Sequence, residues 1–147
     1  MSIEEKEENR RKKKNLPPHY SNSNPVLIIG YTMFDFEKLD VYQKSKIFYK
    51  EIKSFLKTNK IDKELKDQLN RASISIILNI AEGSGRFSKK EKKNFYSYAR
   101  GSVYECVTVL DLIFTDSDFD KEIYNNFYNQ CETLSKMFFR LIQSTKN

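Results

Sequence analysis

The sequence predicts an all-α protein, an antiparallel up-down-up-down four-helix bundle preceded by a flexible N-terminal extension. All three prolines of the 147-residue chain lie at or before position 25, and the whole sequence contains only four glycines. Beyond that point apolar residues recur at spacings of three and four, which is the period of amphipathic helices. Four such segments separated by short turns favour a bundle whose neighbouring helices are antiparallel.

The first 33 residues form a separate zone ahead of the bundle, which we assign to residues 34–147. Residues 1–24 carry mixed charge and the segment PPHYSNSN, a composition typical of mobile chain. The apolar run VLIIGY at 26–31 is either a short strand or part of an arm that packs on the bundle or on a neighbouring subunit. No other segment offers it a partner strand, which favours an arm over residues 26–33.

The first helix is expected at about 35–58. Asp35 is the expected N-cap, because Asp side chains accept hydrogen bonds from the free N–H groups of a helix start. Phe34 and Leu39 have the spacing of a hydrophobic staple around that cap. Lysines occupy much of the remaining helix surface.

The second helix is expected at about 62–82. Its segment ISIILNIA, residues 74–81, is apolar on almost every side. A strand is the alternative for this segment, but the apolar stripe that enters from Leu65 favours a helix. A helix that is apolar on most sides needs cover on most sides, so the excess suggests a subunit interface. Gly83 is the expected left-handed C-cap.

The third and fourth helices are expected at about 88–115 and 119–145. Ser88 and Glu91 have the spacing of a capping box at the start of the third helix. Gly101 lies in its interior, where glycine costs about 0.8–1 kcal/mol relative to alanine. Such a glycine suggests the close approach of another backbone. The segment TDSDFD, which is rich in capping residues, is the expected turn before the fourth helix.

Several classes of protein are excluded by composition. No run of about 18 apolar residues occurs, and the N-terminus lacks the apolar core of a signal peptide, so we expect a cytoplasmic protein with no membrane contact. Cys106 and Cys131 fall at apolar helical positions, which favours core residues over a disulfide. His19 is the only histidine. We therefore expect no metal site and no cofactor.

Catalysis is not expected either. Glu82 and Glu105 are two carboxylates that could flank one site, but nothing else in the sequence supports hydrolysis. The chain also lacks the paired Glu-x-x-His motifs of di-iron helical bundles.

The positive charge is concentrated in two parts of the predicted bundle. The chain carries net charge +6; residues 37–60 hold seven positive and three negative charges, and residues 86–100 hold six and one. A basic surface attracts polyanions because phosphate binding releases counterions, whereas the alternative is a solvated lysine-rich face. The predicted nucleic-acid-binding residues are Arg86, Lys89, Lys90, Lys92, Lys93, Arg100, Lys46, Lys50 and Lys53.

The turn NIAEGSGR allows two interpretations. The first is a structural joint between the second and third helices, with Ser88 capping the latter. The second is an anion or RNA-phosphate site at Gly85, Arg86 and Ser88, because free N–H groups at a helix start attract anions. Nearby, Tyr96 and Tyr98 are interleaved with basic residues and could stack on bases, although a place in an aromatic core is the commoner use.

Polar residues close to the predicted apolar faces form a further candidate group. A network that joins Arg and Glu side chains to an asparagine would fix helix register or join subunits. The residues of this predicted structural polar network are Arg71, Asn79, Glu82, Ser102 and Glu105.

Four segments of the sequence closely resemble one bacterial protein family. They are FEKLDVYQK (36–44), LNRASISI (69–76), NIAEGSGR (79–86) and ARGS (99–102) with Glu105 after it. The resemblance covers roughly residues 35–145, and the family is the four-helix-bundle family first noticed in intervening sequences inserted into large-subunit ribosomal RNA genes. The chain differs from the family pattern in its N-terminal extension and in the segment KTNKIDKE, which replaces a proline-bearing connection.

The resemblance implies a fold similar to the accessory variability protein of diversity-generating retroelements, a basic pentameric barrel that binds nucleic acid and a reverse transcriptase. It therefore implies a ring-like homo-oligomer, specifically a homopentamer, with a nucleic-acid role and no catalysis. Charge and resemblance together predict an accessory protein that binds RNA or DNA through phosphate contacts. The alternative is a protein-interaction scaffold, which offers its N-terminal arm or basic face to a reverse transcriptase or another polymerase.

Overall fold

The computed structural model describes residues 34–115 and 117–145, and this part of the chain is helical, with no strand. A short 3-10 helix, Asp35–Lys38, leads into α1 (Asp40–Thr58), α2 (Lys63–Ser84), α3 (Lys89–Thr115) and α4 (Lys121–Ser144). Within these residues no helix is long and apolar enough to cross a membrane. The predicted N-terminal extension, its arm and His19 lie outside the described residues.

Each helix packs against the helices next to it in the chain, and α1 also contacts α4. Within the described residues the diagonal pairs, α1 with α3 and α2 with α4, have no Cα atoms within 8 Å of each other. Since the connections are short, these neighbours are the ones that an up-down-up-down bundle requires. The α2–α3 pair makes the most extensive of these contacts.

The start of the first helix differs from the prediction. Asp35 begins the 3-10 helix, and Leu39 then adopts an extended conformation (φ −76°, ψ 124°), so α1 begins at Asp40. The break is stabilised by the Gln43 side chain, whose Nε2 donates to the carbonyl oxygen of Glu37 at 2.9 Å. This bond satisfies a backbone acceptor that a continuous helix would have used.

The starts of α2 and α4 follow from aspartate N-caps. The Asp62 carboxylate accepts from the backbone N–H groups of Glu64 at 3.0 Å and Leu65 at 3.3 Å. The Asp120 carboxylate accepts from the N–H of Glu122 at 2.9 Å. Such a cap typically contributes about 1 kcal/mol, which explains why both helices begin directly after an aspartate.

A cluster of aromatic rings closes the end of the bundle at which α3 turns into α4. The Phe55 ring of α1 lies 5.6 Å from Phe114, 5.4 Å from Phe119 and 5.5 Å from Phe127. Ring pairs at these distances add about 0.5–1.5 kcal/mol each beyond the area that they bury. The largest fully buried side chains of the remaining core are Phe48, Phe138, Ile52, Leu69, Ile76, Ile80, Leu110 and Leu134.

Gly83 does not end α2 as a left-handed C-cap, and this prediction is wrong. The helix continues through Ser84, and its C-cap is Gly85 in the right-handed region at φ −77°. Gly83 is buried instead, and a Cβ placed on it would lie 2.9 Å from Phe95 Cβ and 2.9 Å from Tyr96 Cε1. A side chain at this position would therefore collide with the first turns of α3.

Gly101 shows the reverse situation. Sequence suggested the close approach of another backbone, yet a Cβ added there meets nothing within 4 Å in the described chain. The residue is exposed on the outer surface of α3. The close approach between helices falls at Gly83, where α2 lies against Phe95 and Tyr96 of α3.

Both cysteines are free and buried, as predicted. Burial raises the pKa of the Cys106 thiol, and the neighbouring Cys131 and Glu105 add to the rise. Burial likewise raises the pKa of Cys131 to about 12. At neutral pH these thiols are protonated core side chains, because a thiolate would lose its hydration.

Replacing Gly83 with alanine is expected to lower the free energy of unfolding by about 1–3 kcal/mol, the usual cost of overpacking. The added methyl group meets Phe95 Cβ, which the backbone of α3 holds in place. Urea unfolding followed by circular dichroism measures the change. Gly85→Ala is the matched control, since its Cβ would find its nearest neighbour at an ordinary 3.6 Å. Equal losses in the two variants would contradict a steric requirement at Gly83.

The two buried thiols are expected to make the fold less stable at alkaline pH. A folded pKa above the unfolded value of about 8.5 stabilises the fold fully below that value, and the contribution is lost as pH rises towards the folded pKa. The free energy of unfolding should therefore decline between about pH 8.5 and 10. The Cys106→Ala/Cys131→Ala double variant should decline less over that interval, although its absolute stability is lower. Parallel declines would show that the thiols are not responsible.

Candidate nucleic-acid interface

The turn between α2 and α3 is a structural joint. The N–H of Gly85 donates to the Ala81 carbonyl and the N–H of Arg86 donates to the Gly83 carbonyl, both at 3.2 Å. Ser88 Oγ accepts from the N–H of Glu91 at 3.4 Å, which is the serine half of the predicted capping box. Because the amides of positions 85 and 86 already bind the end of α2, they do not form an anion cradle.

Five basic side chains surround this turn, and we call them the basic tip: Arg86, Lys89, Lys90, Lys92 and Lys93. Arg86, Lys89 and Lys90 are exposed, whereas Lys92 and Lys93 are half-buried. In the part of the chain that the structure describes, the ion pairs are Lys38–Asp35 and Lys136–Glu132, so none involves the basic tip. The positive charge of the tip is therefore not neutralised by acidic partners within the described bundle.

Arg86 is positioned by an aromatic ring. Its guanidinium carbon lies 4.6 Å from the centroid of the Phe95 ring, a cation–π distance. The Phe95 ring in turn meets Tyr98 edge-on at 5.8 Å. Tyr98 is 59% exposed, so it can contact a ligand from the surface. The Phe95–Tyr98 pair therefore adds aromatic surface next to the basic tip along the first turns of α3.

Of the two uses considered for Tyr96, the structure shows the commoner one, a place in the core, so Tyr96 is not available for base stacking. The side chain is buried beside Gly83. Burial raises the pKa of Tyr96, and a hydrogen bond with the Ser84 side chain partly opposes the rise. Tyr96 belongs to the contact between α2 and α3, whereas Tyr98, two positions later, faces outward.

Arg100 is held by α3 and α4 rather than presented with the lysines. Its Nε donates to Ser135 Oγ of α4 at 3.2 Å, and its Nη2 donates to the Tyr104 hydroxyl at 2.9 Å. The guanidinium carbon lies 5.0 Å from the centroid of the Tyr104 ring. Arg100 therefore links the two helices, and its charge is less free to move towards a phosphate than that of the exposed lysines.

The predicted lysines of the first helix form a second patch. Lys46 and Lys53 lie over the rings of Tyr42 and Tyr49, with Nζ 5.0 and 5.8 Å from the ring centroids. Lys50 is exposed between them. These lysines lie on α1, which is diagonal to α3 and has no Cα atom within 8 Å of the helix that carries the lysines of the basic tip.

The predicted polar network divides into two groups along the α2–α3 contact. In the first, Arg71 Nη2 donates to Gln68 Oε1 at 2.9 Å, and Gln68 Nε2 donates to Glu105 Oε1. Gln68, which links the arginine to the glutamate, was not among the residues predicted for this network. Glu82 belongs to neither group: it is exposed and forms no hydrogen bond or ion pair within residues 34–115 and 117–145.

The second group consists of small side chains at the same contact. The Ser75 and Ser102 hydroxyls lie 2.9 Å apart, and Asn79 Nδ2 donates to the Ser75 carbonyl at 2.8 Å. Ser75 was also missed, because a serine in an apolar stripe gives no signal of its own. The Ser75–Ser102 bond joins α2 to α3 and fixes their register, whereas the Asn79 bond lies within α2.

Phe87 is the residue of the turn that sequence analysis missed. Its side chain is fully exposed, between Arg86 and the N-cap Ser88. An apolar residue before an N-cap usually packs on the fourth residue of the helix, which here is Lys92. The sequence therefore carried a signal, namely a phenylalanine whose usual packing partner is replaced by a lysine.

The described residues hold no cluster of three or more His, Cys, Asp or Glu side chains that could bind a metal ion. A cavity of about 240 Å³ lies between α1 and α4 and is lined by Lys44, Ile47, Asn126, Asn129, Gln130, Thr133 and Leu134. A second groove of about 360 Å³ lies between α3 and α4, where Tyr104, Val107 and Tyr128 contribute apolar surface.

The sequence profile of the 23S rRNA-intervening sequence protein family matches residues 37–140. The chain belongs to this family. A crystal structure of a protein of unknown function from the S23 ribosomal protein family, from Bacteroides thetaiotaomicron, is similar with a TM-score of 0.63 at 21% identity. The similarity covers 70% of this chain and 95% of that chain, and at this identity it shows a shared fold. No curated protein matches the chain.

Proposed function

We propose that this member of the family is a non-catalytic, homo-oligomeric accessory protein that binds RNA or DNA in the cytoplasm through phosphate contacts. The observation that carries the proposal is the basic tip, five cationic side chains without acidic partners in the described bundle. The family description names intervening sequences of 23S rRNA, which supports RNA as the first nucleic acid to test.

The chemistry of the basic tip fits a polyanion rather than a small anion. Its side chains radiate from one turn and the first turns of α3, so they can reach several phosphates along a strand. Each phosphate neutralised by a lysine or arginine releases condensed counterions, which makes binding tighter at low salt. Such contacts position a protein on nucleic acid without reading its sequence.

The outer face of the α2–α3 pair supports self-association. Leu78 and Tyr98 each lie about one turn from the Ser75–Ser102 contact, and they are 58% and 59% exposed. Gly101, three residues after Tyr98 on α3, leaves open space that another helix could approach closely. Apolar side chains and a glycine at one surface favour packing against a second copy. Following the resemblance, we propose a ring-like homopentamer.

Reversing the lysines of the basic tip is expected to abolish nucleic-acid binding. The variant carries Lys89→Glu, Lys90→Glu, Lys92→Glu and Lys93→Glu, and fluorescence anisotropy with a labelled 23S rRNA fragment at several salt concentrations measures its affinity. Helicity should be unchanged, because glutamates near a helix N-terminus favour the helix dipole. For wild type, the logarithm of the binding constant should fall linearly with the logarithm of the salt concentration. Each lysine–phosphate contact should make this slope more negative by about 0.7–0.9.

The matched control places the same four charge reversals at the opposite end of the bundle, at Lys60, Lys63, Lys66 and Lys121. This control has the same net charge, so it should lose only the long-range attraction and keep the local contacts. Equal losses of affinity in the two variants would show that the basic tip contributes only through the net charge of the protein. Unchanged binding by the tip variant would contradict the proposed function.

The proposed interface between copies predicts that Leu78→Glu shifts the protein to a smaller species. Size-exclusion chromatography with light scattering measures mass, and a pentamer has about five times the 17.5 kDa of one chain. A charge placed on an apolar interface lacks its hydration and a partner, which weakens association. Phe139→Glu on α4, where the side chain is 53% exposed, is the control. A monomeric wild-type protein would contradict the assembly.

A protein-interaction scaffold is the second candidate function. The apolar groove of about 360 Å³ between α3 and α4 favours it, because Tyr104, Val107 and Tyr128 leave apolar surface accessible there. A polymerase such as a reverse transcriptase is the partner class that the resemblance supports. This candidate takes precedence if wild-type protein binds no nucleic acid at low salt.

A further inference from the structure

Phe87 is exposed in a place where its usual intramolecular partner is missing. It precedes the N-cap Ser88, and the residue that would normally cover it is Lys92. Its neighbour Arg86 turns away onto the Phe95 ring, at 4.6 Å from the ring centroid. Within the described bundle Phe87 therefore contributes no packing, and a large apolar side chain that does not stabilise its own fold is a candidate contact for a ligand.

The charges around Phe87 define the chemistry of that ligand. Arg86 precedes it, Lys89 and Lys90 follow within three residues, and Glu91 is the only acidic residue between positions 86 and 100. The partner must present a flat apolar surface within a strongly anionic molecule. An unpaired nucleotide in a strand has both properties, because its base has an open face and phosphates flank it on either side.

We propose that Phe87 stacks on an unpaired base while Arg86, Lys89 and Lys90 contact the flanking phosphates, so that the tip prefers single-stranded or looped nucleic acid to duplex. This inference rests on the proposed function and names its substrate class. A duplex hides base faces inside its own stack, whereas a loop or single strand exposes them. A phenylalanine has no hydrogen-bonding group, so the stacking tolerates any base.

Phe87→Trp gives a direct readout, because the natural chain contains no tryptophan. The full-length variant is titrated with oligo(dT), which forms no duplex, and with a blunt-ended duplex of two separate strands that has the same number of phosphates and no unpaired base. Free protein should show the red-shifted emission of an exposed indole, and oligo(dT) should quench it strongly while duplex does not. Phe139→Trp, exposed on α4, is the matched control and should respond to neither.

Phe87→Ala and Phe87→Leu measure how much the Phe87 ring contributes to the affinity for unpaired nucleic acid. Both should lower the affinity for oligo(dT) by about 5- to 150-fold, the range for loss of one aromatic–base stack, while the affinity for duplex stays the same. Because Leu retains apolar bulk, a loss in both variants assigns the effect to the aromatic face. Since Phe87 is fully exposed, neither substitution removes a buried contact of the described bundle.

Several outcomes overturn the inference while the proposed function survives. Equal losses for oligo(dT) and duplex, or no loss with either, show that Phe87 does not stack on bases although the lysines still bind phosphates. Blue-shifted emission from free Phe87→Trp shows that another copy of the chain covers the site. A blue shift on addition of anionic vesicles, with no response to oligo(dT), assigns the tip to a lipid surface. Absence of any nucleic-acid binding by wild type overturns the proposed function as well.

Discussion

The close approach of α2 and α3 at Gly83 is the constraint on which the rest of the candidate interface depends. A hydrogen in place of a side chain lets the end of α2 lie directly on Phe95 and Tyr96. Farther along the same contact, the small side chains of Ser75 and Ser102 continue it with a 2.9 Å hydrogen bond. The hairpin of α2 and α3 is therefore fixed at its tip, and the basic side chains project from a rigid base rather than from a mobile loop.

The charge at that tip runs against the electrostatics of the helix that carries it. Four of the first five residues of α3 are lysines, although the N-terminal end of a helix disfavours positive charge. Stacking of Arg86 on Phe95 offsets part of this cost, but the lysines have no acidic partner within the described bundle. An arrangement of charges that destabilises a helix, with no contact in the described bundle to compensate, is typical of a binding surface.

Local signals predicted the helices well, whereas the details of the interface depend on tertiary packing. Periodicity and capping aspartates act within a few residues, so the number of helices and most of their ends could be read from the sequence. Whether a glycine serves its own backbone or a neighbouring helix is decided between elements, which is why Gly83, expected to end α2, takes the close approach between helices that was expected at Gly101. Tyr96 and Tyr98 look equivalent in sequence, but a rotation of about 200° along α3 separates a core position from a surface one. Phe87 could have been found from its missing staple partner.

Assembly and nucleic-acid binding are linked in the proposed function. A tip with five cations makes few phosphate contacts, and each contact weakens as salt competes for the strand. When several copies share one ring, a strand bound at one tip meets the next at a high effective concentration, so affinity rises without any new contact. The α1 lysines lie on a helix that is diagonal to α3 and has no Cα atom within 8 Å of it. If assembly through the outer face at Leu78 sets the spacing of the tips, the affinity for a strand depends on that face as well as on the basic tip.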